Sequence, residues 1–270
     1  MTQSIARRTV LKGLGVAVGT AALGTYRPQP TEARRPARED ACYVYLAHGA
    51  SNLGLADQWS SRGQWVVSAL LVRDPRLPRQ LIRRAKRHRL SADQRATPEI
   101  LAREASDDFR EYFYKLLASR GDGRLEAYSI RVSQKFLQSK GDEVGLFQLR
   151  AIQNLLTTCD LWRFQKVSVY QNVPSLKGLS GKALRTAIEG TALPKETRLR
   201  VWEHDSARDQ GSPQNGYPQI LANDALQAAG LVSYAFYQKY RHGNRRFAEL
   251  IAPIVRRELD ARRLRWGSPR

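Results

Sequence analysis

The sequence predicts an α/β protein: a mixed sheet of about five strands flanked by helices, with a helical insertion between the second and third strands. Three observations predict it. Short runs rich in β-branched and aromatic residues recur between residues 42 and 205. Stretches with a helical apolar period separate most of them. A long helical segment follows the last run.

Size and composition bound the answer. The 270 residues suffice for one large domain, and the 42% hydrophobic share is that of a globular chain. Lys and Arg number 45 against 25 Asp and Glu, a formal net charge of +20. Such a surplus favours polyanionic partners, nucleic acid first and acidic membrane surfaces second. General arginine enrichment of the source proteome would give the same composition. Cys42 and Cys159 form no CxxC pair, and His48, His88, His204 and His242 are scattered, which argues against a zinc site. The two cysteines read best as structural thiols.

The N-terminus reads as an address. Arg7-Arg8-Thr9-Val10-Leu11-Lys12 precedes an apolar, small-residue run from Gly13 to Gly24. A charged segment, a short apolar segment and small residues at its end make a secretory signal. The paired arginines resemble a twin-arginine (Tat) signal, although Val10 stands where Phe is commonest and Ala6 where Ser or Thr is usual. The run is too short for a permanent membrane helix, which needs ~20 residues. The expected organisation is therefore a Tat-type signal over 1–24, a flexible Pro-containing linker over 25–40, and one domain over 41–270. The expected location is outside the cytoplasm; a cytoplasmic protein whose first helix is amphipathic is the alternative.

Cys42–Ala47 is the first predicted strand and Gln64–Val72 the second, stopped by Asp74-Pro75. Leu77–Leu90 has apolar residues at 77, 81, 82 and 85, a helical period. Pro98 opens a helix to about Ser119, with Ile100, Leu101, Phe109, Phe113, Leu116 and Leu117 as core positions and Gly121-Asp122-Gly123 as its end. Leu125–Val132 is the third strand. Val144–Cys159 is a helix with Leu146, Leu149, Ile152, Leu155 and Leu156 on one face. Lys166–Gln171 is the fourth strand, Lys182–Glu189 a short helix, and Leu199–Asp205 the fifth strand. Pro218 suits the first turn of a helix reaching about Tyr240, closed by Gly243. A last helix is expected over about Phe247–Arg262. Without the insertion, the order β-β-β-α-β-α-β-α is that of the RNase H fold.

The segment Leu226-Gln227-Ala228-Ala229-Gly230-Leu231-Val232-Ser233-Tyr234-Ala235, followed by Lys239-Tyr240-Arg241-His242-Gly243-Asn244, sharpens this. It resembles the closing signature of the family catalogued as domain of unknown function 3800. That signature reads Leu-Gln-x-Ala-Asp-Leu-Val-Ala-Gly-Ala, then Lys-Tyr-x-x-Gly-Asp. The family's opening Tyr-Ile-Asp-Glu-Ser-Gly corresponds to Tyr45-Leu46-Ala47-His48-Gly49-Ala50, and Lys135 stands where a Lys often follows the third strand. The resemblance spans about residues 42–255. It implies an RNase H-like fold and metal-dependent nuclease or related activity on nucleic acid.

That chemistry needs two divalent cations about 4 Å apart, held by converging carboxylates. The residues here depart from it. The strand-one Asp of the family is Ala47 and its neighbouring Glu is His48. The fourth-strand Asp falls on Gln171 or Asn172, and the late-helix Asp on Gly230. Four losses at matched spacing imply a site without Mg²⁺, and so no cofactor.

A rebuilt site is the alternative. Glu203 and Asp205 alternate on one strand face, and Asp224 lies one and two-thirds turns before Gly230. Mg²⁺ would be its cofactor; Asp57, Asp160 and Asp209 are further candidates.

For nucleic acid, the candidate contacts are Arg79, Arg83, Arg84, Lys86, Arg87 and Lys135. A merely solvated helix face would look the same. Trp59, Trp65, Trp162, Trp202 and Tyr234 read as core rather than as base-stacking platforms. His48 and His204 have no orienting carboxylate in view, which makes them weak acid–base candidates. Three readings follow: an inactive RNase H-like domain binding nucleic acid or another polyanion, a metal-dependent nuclease using Glu203, Asp205 and Asp224, and an exported interaction protein without catalysis.

Overall fold

The computed structural model describes residues 39–48, 64–96, 102–133, 135–136, 139, 144–172, 186, 198–203 and 218–264. All lie in the second of two compact units, Ala37–Arg270; the first is Met1–Pro36. The expected export signal and most of the expected linker fall outside the described residues, as does Pro98.

The strands are β1 (Glu39–His48), β2 (Gln64–Val72), β3 (Leu125–Ser133), β4 (Phe164–Asn172), β5 (Arg198–Glu203) and β6 (Val255–Asp260). The helices are α1 (Arg76–Arg89), α2 (Ala92–Ala96), α3 (Asp107–Gly121), α4 (Val144–Thr157), α5 (Pro218–His242) and α6 (Arg246–Leu250). They build one mixed sheet in the order β5-β4-β1-β2-β3-β6. β1, β2 and β3 pair antiparallel; β4 joins β1 in parallel, β5 joins β4, and β6 joins β3. The central strands are apolar on both sides because helices cover both faces. α1, α3, α5 and α6 share one core with the sheet, around Tyr45, Leu70, Phe109, Phe113 and Phe236. α4 covers the other face, around Val44, Leu71, Ile152, Leu155 and Phe164.

The helical insertion sits where it was expected, between β2 and β3. α1 buries Leu77, Pro78, Leu81, Ile82 and Ala85 and exposes all of its arginines but Arg79, which is half-buried. α3 starts at Asp107, where the Ser106 side chain accepts from the Phe109 amide and two aspartates face the positive end of the helix. Gly123, at φ +67°, makes the turn into β3, and Gly243, at φ +70°, closes α5; both conformations favour glycine.

Three expectations are corrected. The helix expected from Pro98 begins only at Asp107, after turns and a bend over residues 102–105. Residues 247–262 are not one helix. Phe247, Ala248, Ile251 and Ile254 do pack inward, but α6 stops at Leu250, a 3₁₀ turn containing Pro253 follows, and Val255–Asp260 runs as the edge strand β6. Proline cannot continue a helix, while the Arg, Glu and Leu of β6 suit a helix as well as an exposed edge. In α4, Leu146 is 42% exposed, and Phe147 with Ala151 takes the place toward the sheet. Leu149 is half-buried.

Candidate functional site

The carboxyl ends of β1, β4 and β5 lie at one end of the sheet, the place where an RNase H-like metal site would stand. Backbone register settles which residues share a level there. Ala47 pairs with Asn172 on one side and Ser68 on the other; Gln171 pairs with Leu46 and with Glu203. In backbone register Asn172, not Gln171, stands level with Ala47, and Glu203 pairs one residue out of step with it.

Ala47 is buried on the face covered by α5. Gly230 is on α5, half-buried, and a Cβ added to it would meet nothing within 4 Å. His48 belongs to the opposite face, where its ring tilts against Trp65 at 5.9 Å. Gln171 is buried on that side too. The four positions therefore split: Ala47 lies on the face of the helix that carries Gly230, while His48 and Gln171 lie behind the sheet. From Ala47 the register continues through Ser68, Ser129 and Glu258, so two small buried hydroxyl residues cross the sheet under α5.

This donor set does not fit Mg²⁺, which takes oxygen ligands and carboxylates above all. Ala47 offers a methyl group and Gly230 a hydrogen. Among the described residues, no group of three or more His, Cys, Asp or Glu could hold a metal.

Of the rebuilt alternative's three carboxylates, Asp224 has a described side chain. Asp224 points to α1, with its Oδ2 3.4 Å from Arg79 Nε and 3.6 Å from Arg83 Nε. Burial raises its pKa, against the lowering pull of Arg83, Lys86 and Arg79. These are charge contacts without hydrogen-bond geometry: Asp224 Oδ2 and Arg79 Nε are buried with no hydrogen bond. Asp205, His204, Asp57, Asp209 and Trp59 lie outside the described residues. Asp160 forms a left-handed turn at φ 49° before β4, at the far end of the sheet.

The same contact divides the basic helix. Arg79 is largely buried against Asp224, and Arg83, more exposed, shares that carboxylate. Arg89 pairs with Asp108 and lies over the Tyr112 ring. Arg84 and Arg87 are exposed and have no acidic partner among the described residues. Lys86 is half-buried, and Lys135 is exposed just after β3. Trp65 is core as expected; Trp162, expected to be core, is 45% exposed. Tyr234 is half-buried and carries the Arg110 guanidinium over its ring at 4.7 Å, so it is no open platform.

A second polar cluster, at the opposite end of the sheet, escaped the sequence reading. Glu126 is 4% exposed. It accepts from Tyr128 Oη at 2.7 Å and Arg163 at 2.7 Å, with Arg73 at 3.5 Å. Burial raises its pKa, but these three neighbours outweigh it and hold the carboxyl below the ordinary range. Arg73 also grips Glu39 through two hydrogen bonds, of 2.5 and 3.1 Å, and donates to the Gly123 carbonyl at 2.9 Å. Alternation of Arg and Glu on strands carries no sequence signal for such pairing across 34 and 37 residues. Cys42 and Cys159 are buried free thiols in the same core, and burial pushes both pKa values up.

The antiparallel β1–β3 unit, the parallel β4 and β5 beside β1, and helices on both faces define an RNase H-like α/β fold. A chain in the structure of the PCNA:RNase HII complex from Archaeoglobus fulgidus is similar at 13% identity and a TM-score of 0.41, with 77% of each chain covered. No protein-family model matches the sequence, and no curated protein matches it. Among the described residues no helix is long and apolar enough to cross a membrane.

Proposed function

We propose that this protein is a non-catalytic RNase H-like domain, related to the domain of unknown function 3800 family, that binds nucleic acid through the outer edge of α1. The observation that carries the reading is the pair Arg84 and Arg87, exposed and without acidic partners among the described residues, on a chain of net charge +20. Guanidinium groups free to meet phosphates release counterions from the polyanion, and that gain needs no base recognition. The reading of lost catalysis is supported by the methyl of Ala47 and the bare backbone of Gly230 at two of the family's carboxylate positions. Asp224, the carboxylate nearest to replacing them along α5, is turned to Arg79 and Arg83. The proposal includes export, with residues 1–24 as a Tat-type address.

The test is anisotropy of labelled single- and double-stranded oligonucleotides with the full chain, across a salt series with and without Mg²⁺. Sequence-independent binding that weakens linearly in log salt, with no cleavage in Mg²⁺ or Mn²⁺, is the expected result. Salt-insensitive or absent binding would leave an exported interaction protein instead. Cleavage abolished by Asp205→Asn would reinstate the nuclease reading.

A further inference from the structure

A cleft of about 620 Å³ opens between the C-terminal end of α5 and β6, lined by Arg131, Lys239, Tyr240, Arg245, Glu258, Asp260 and Arg263 among others. Its charges sort into two groups. The carboxylates are already engaged. Glu258 accepts from Lys239 Nζ at 2.7 and 2.9 Å and from Tyr240 Oη. Asp260 accepts from Arg131 at 2.8 Å and from the side chain and amide of Arg262. The Arg262 hydrogen bonds, chiefly, pull the Asp260 pKa down to about 2. Glu258 is thus matched by Lys239, and Asp260 by Arg131 and Arg262. Arg245, just after α5, and Arg263, just after β6, line the same cleft with no acidic partner among the described residues.

We infer that this cleft is a binding site for a phosphate-bearing ligand, held by Arg245 and Arg263. Two unneutralised guanidiniums in a concavity focus a positive potential. Each presents a planar fork of donors that matches a phosphate. They come from separate segments, so engaging both favours a ligand with more than one set of anionic oxygens, such as a pyrophosphoryl group. The cleft is of small-ligand size. Among the described residues it offers no ring for base stacking: Tyr240 has Arg131 over its ring at 4.7 Å and lies parallel to Phe236. The ligand is therefore recognised by its phosphates. They belong either to a small phosphorylated molecule or to a nucleic-acid backbone. The site is separate from the α1 edge and does not depend on it.

Calorimetric titration of the full chain with inorganic pyrophosphate tests the inference. Saturable binding is expected. It should weaken at least about tenfold in the Arg245→Ala/Arg263→Ala double variant, which removes both charged forks. It should persist in Arg84→Ala/Arg87→Ala, so that failure here is distinct from failure of the α1 reading. If the alanine variant does not fold, Arg245→Lys/Arg263→Lys keeps the charge and loses the forks, and weaker binding is again expected. No saturable binding to the folded wild type, or equal affinity in the folded double variant, would overturn the site, as would loss in Arg84→Ala/Arg87→Ala. Displacement of a labelled oligonucleotide by pyrophosphate would assign the phosphates to a nucleic-acid backbone. Pyrophosphate binding without displacement would assign them to a small molecule.

Discussion

The Asp224 carboxylate of α5 lies 3.4 Å from Arg79 Nε of α1, nearly buried, and the two make a charge contact without a hydrogen bond. Burial of both groups costs more than a poorly aligned pair returns. The raised pKa of Asp224 says the same: an acid whose folded pKa lies above its unfolded value destabilises the fold once pH exceeds the unfolded pKa.

Asp224→Asn should therefore stabilise the protein at pH 7, by up to ~1 kcal/mol. The gain should shrink as pH falls into the ordinary aspartate range, where the wild-type carboxyl is protonated as well. Paired thermal melts at pH 7 and pH 4 measure it. A clear loss of stability at pH 7 would mean that the ion pair holds the two helices together.

The division of α1 predicts a division of phenotypes. Arg84→Ala/Arg87→Ala should leave the melting temperature nearly unchanged and reduce the slope of log affinity against log salt by about 2 for duplex DNA. Arg79→Ala should do the reverse, changing stability while leaving the slope in place. Salt-series anisotropy beside thermal melts separates them, and equal slopes in all three proteins would remove α1 from the interface.

Glu126 gives an acid-lability prediction of opposite sign to Asp224. Its folded pKa is lowered by Tyr128, Arg163 and Arg73 beyond what burial adds. Its stabilisation is present above the unfolded carboxylate pKa and is lost as pH falls through the lower folded value. Glu126→Gln should cost roughly 3 kcal/mol at pH 7, because it leaves two arginines facing a neutral amide, and the difference from wild type should narrow in acid. Denaturant midpoints at pH 7 and pH 3 check this.

Gly230 and Ala47 respond differently to a side chain. A Cβ at Gly230 meets open space inside a helix, so Gly230→Ala should stabilise by about 0.5–1 kcal/mol. Ala47→Asp places a carboxylate among buried apolar groups and should cost on the order of 3 kcal/mol. If carboxylates at these two positions can reach one metal ion, Mg²⁺ should recover part of that loss in the Ala47→Asp/Gly230→Asp double variant, read as a shift in melting temperature absent from wild type. No shift would show that carboxylates at these two positions are not enough to hold the ion.

The fold was largely legible because its signals are local. Gln64–Val72 and Leu125–Val132 are continuous β-rich runs, and Leu77, Leu81, Ile82 and Ala85 repeat at helical spacing. β6 was not legible, since an edge strand of Arg, Glu and Leu is held by pairing with β3 rather than by its own propensity; Pro253 was the available sign. The cleft behind β6 went unseen with it. Likewise the sequence counts seven Lys and Arg on the basic helix without distinguishing Arg79 from Arg84. That distinction depends on where α5 sets Asp224, a long-range fact.

β1 is the middle of the sheet, hydrogen-bonded to β4 on one side and β2 on the other, and its first residue is tied by Arg73. The two ends of the described chain therefore have unequal mechanical footing. A pull entering through Glu39 acts along β1 and loads both ladders in shear, together with the Arg73 tie, before anything yields. A pull entering from the C-terminal side meets β6, an edge strand paired to β3 alone, and can peel it away a bond at a time. An unfolding machine that grips the N-terminal side should stall where one that grips the C-terminal side proceeds.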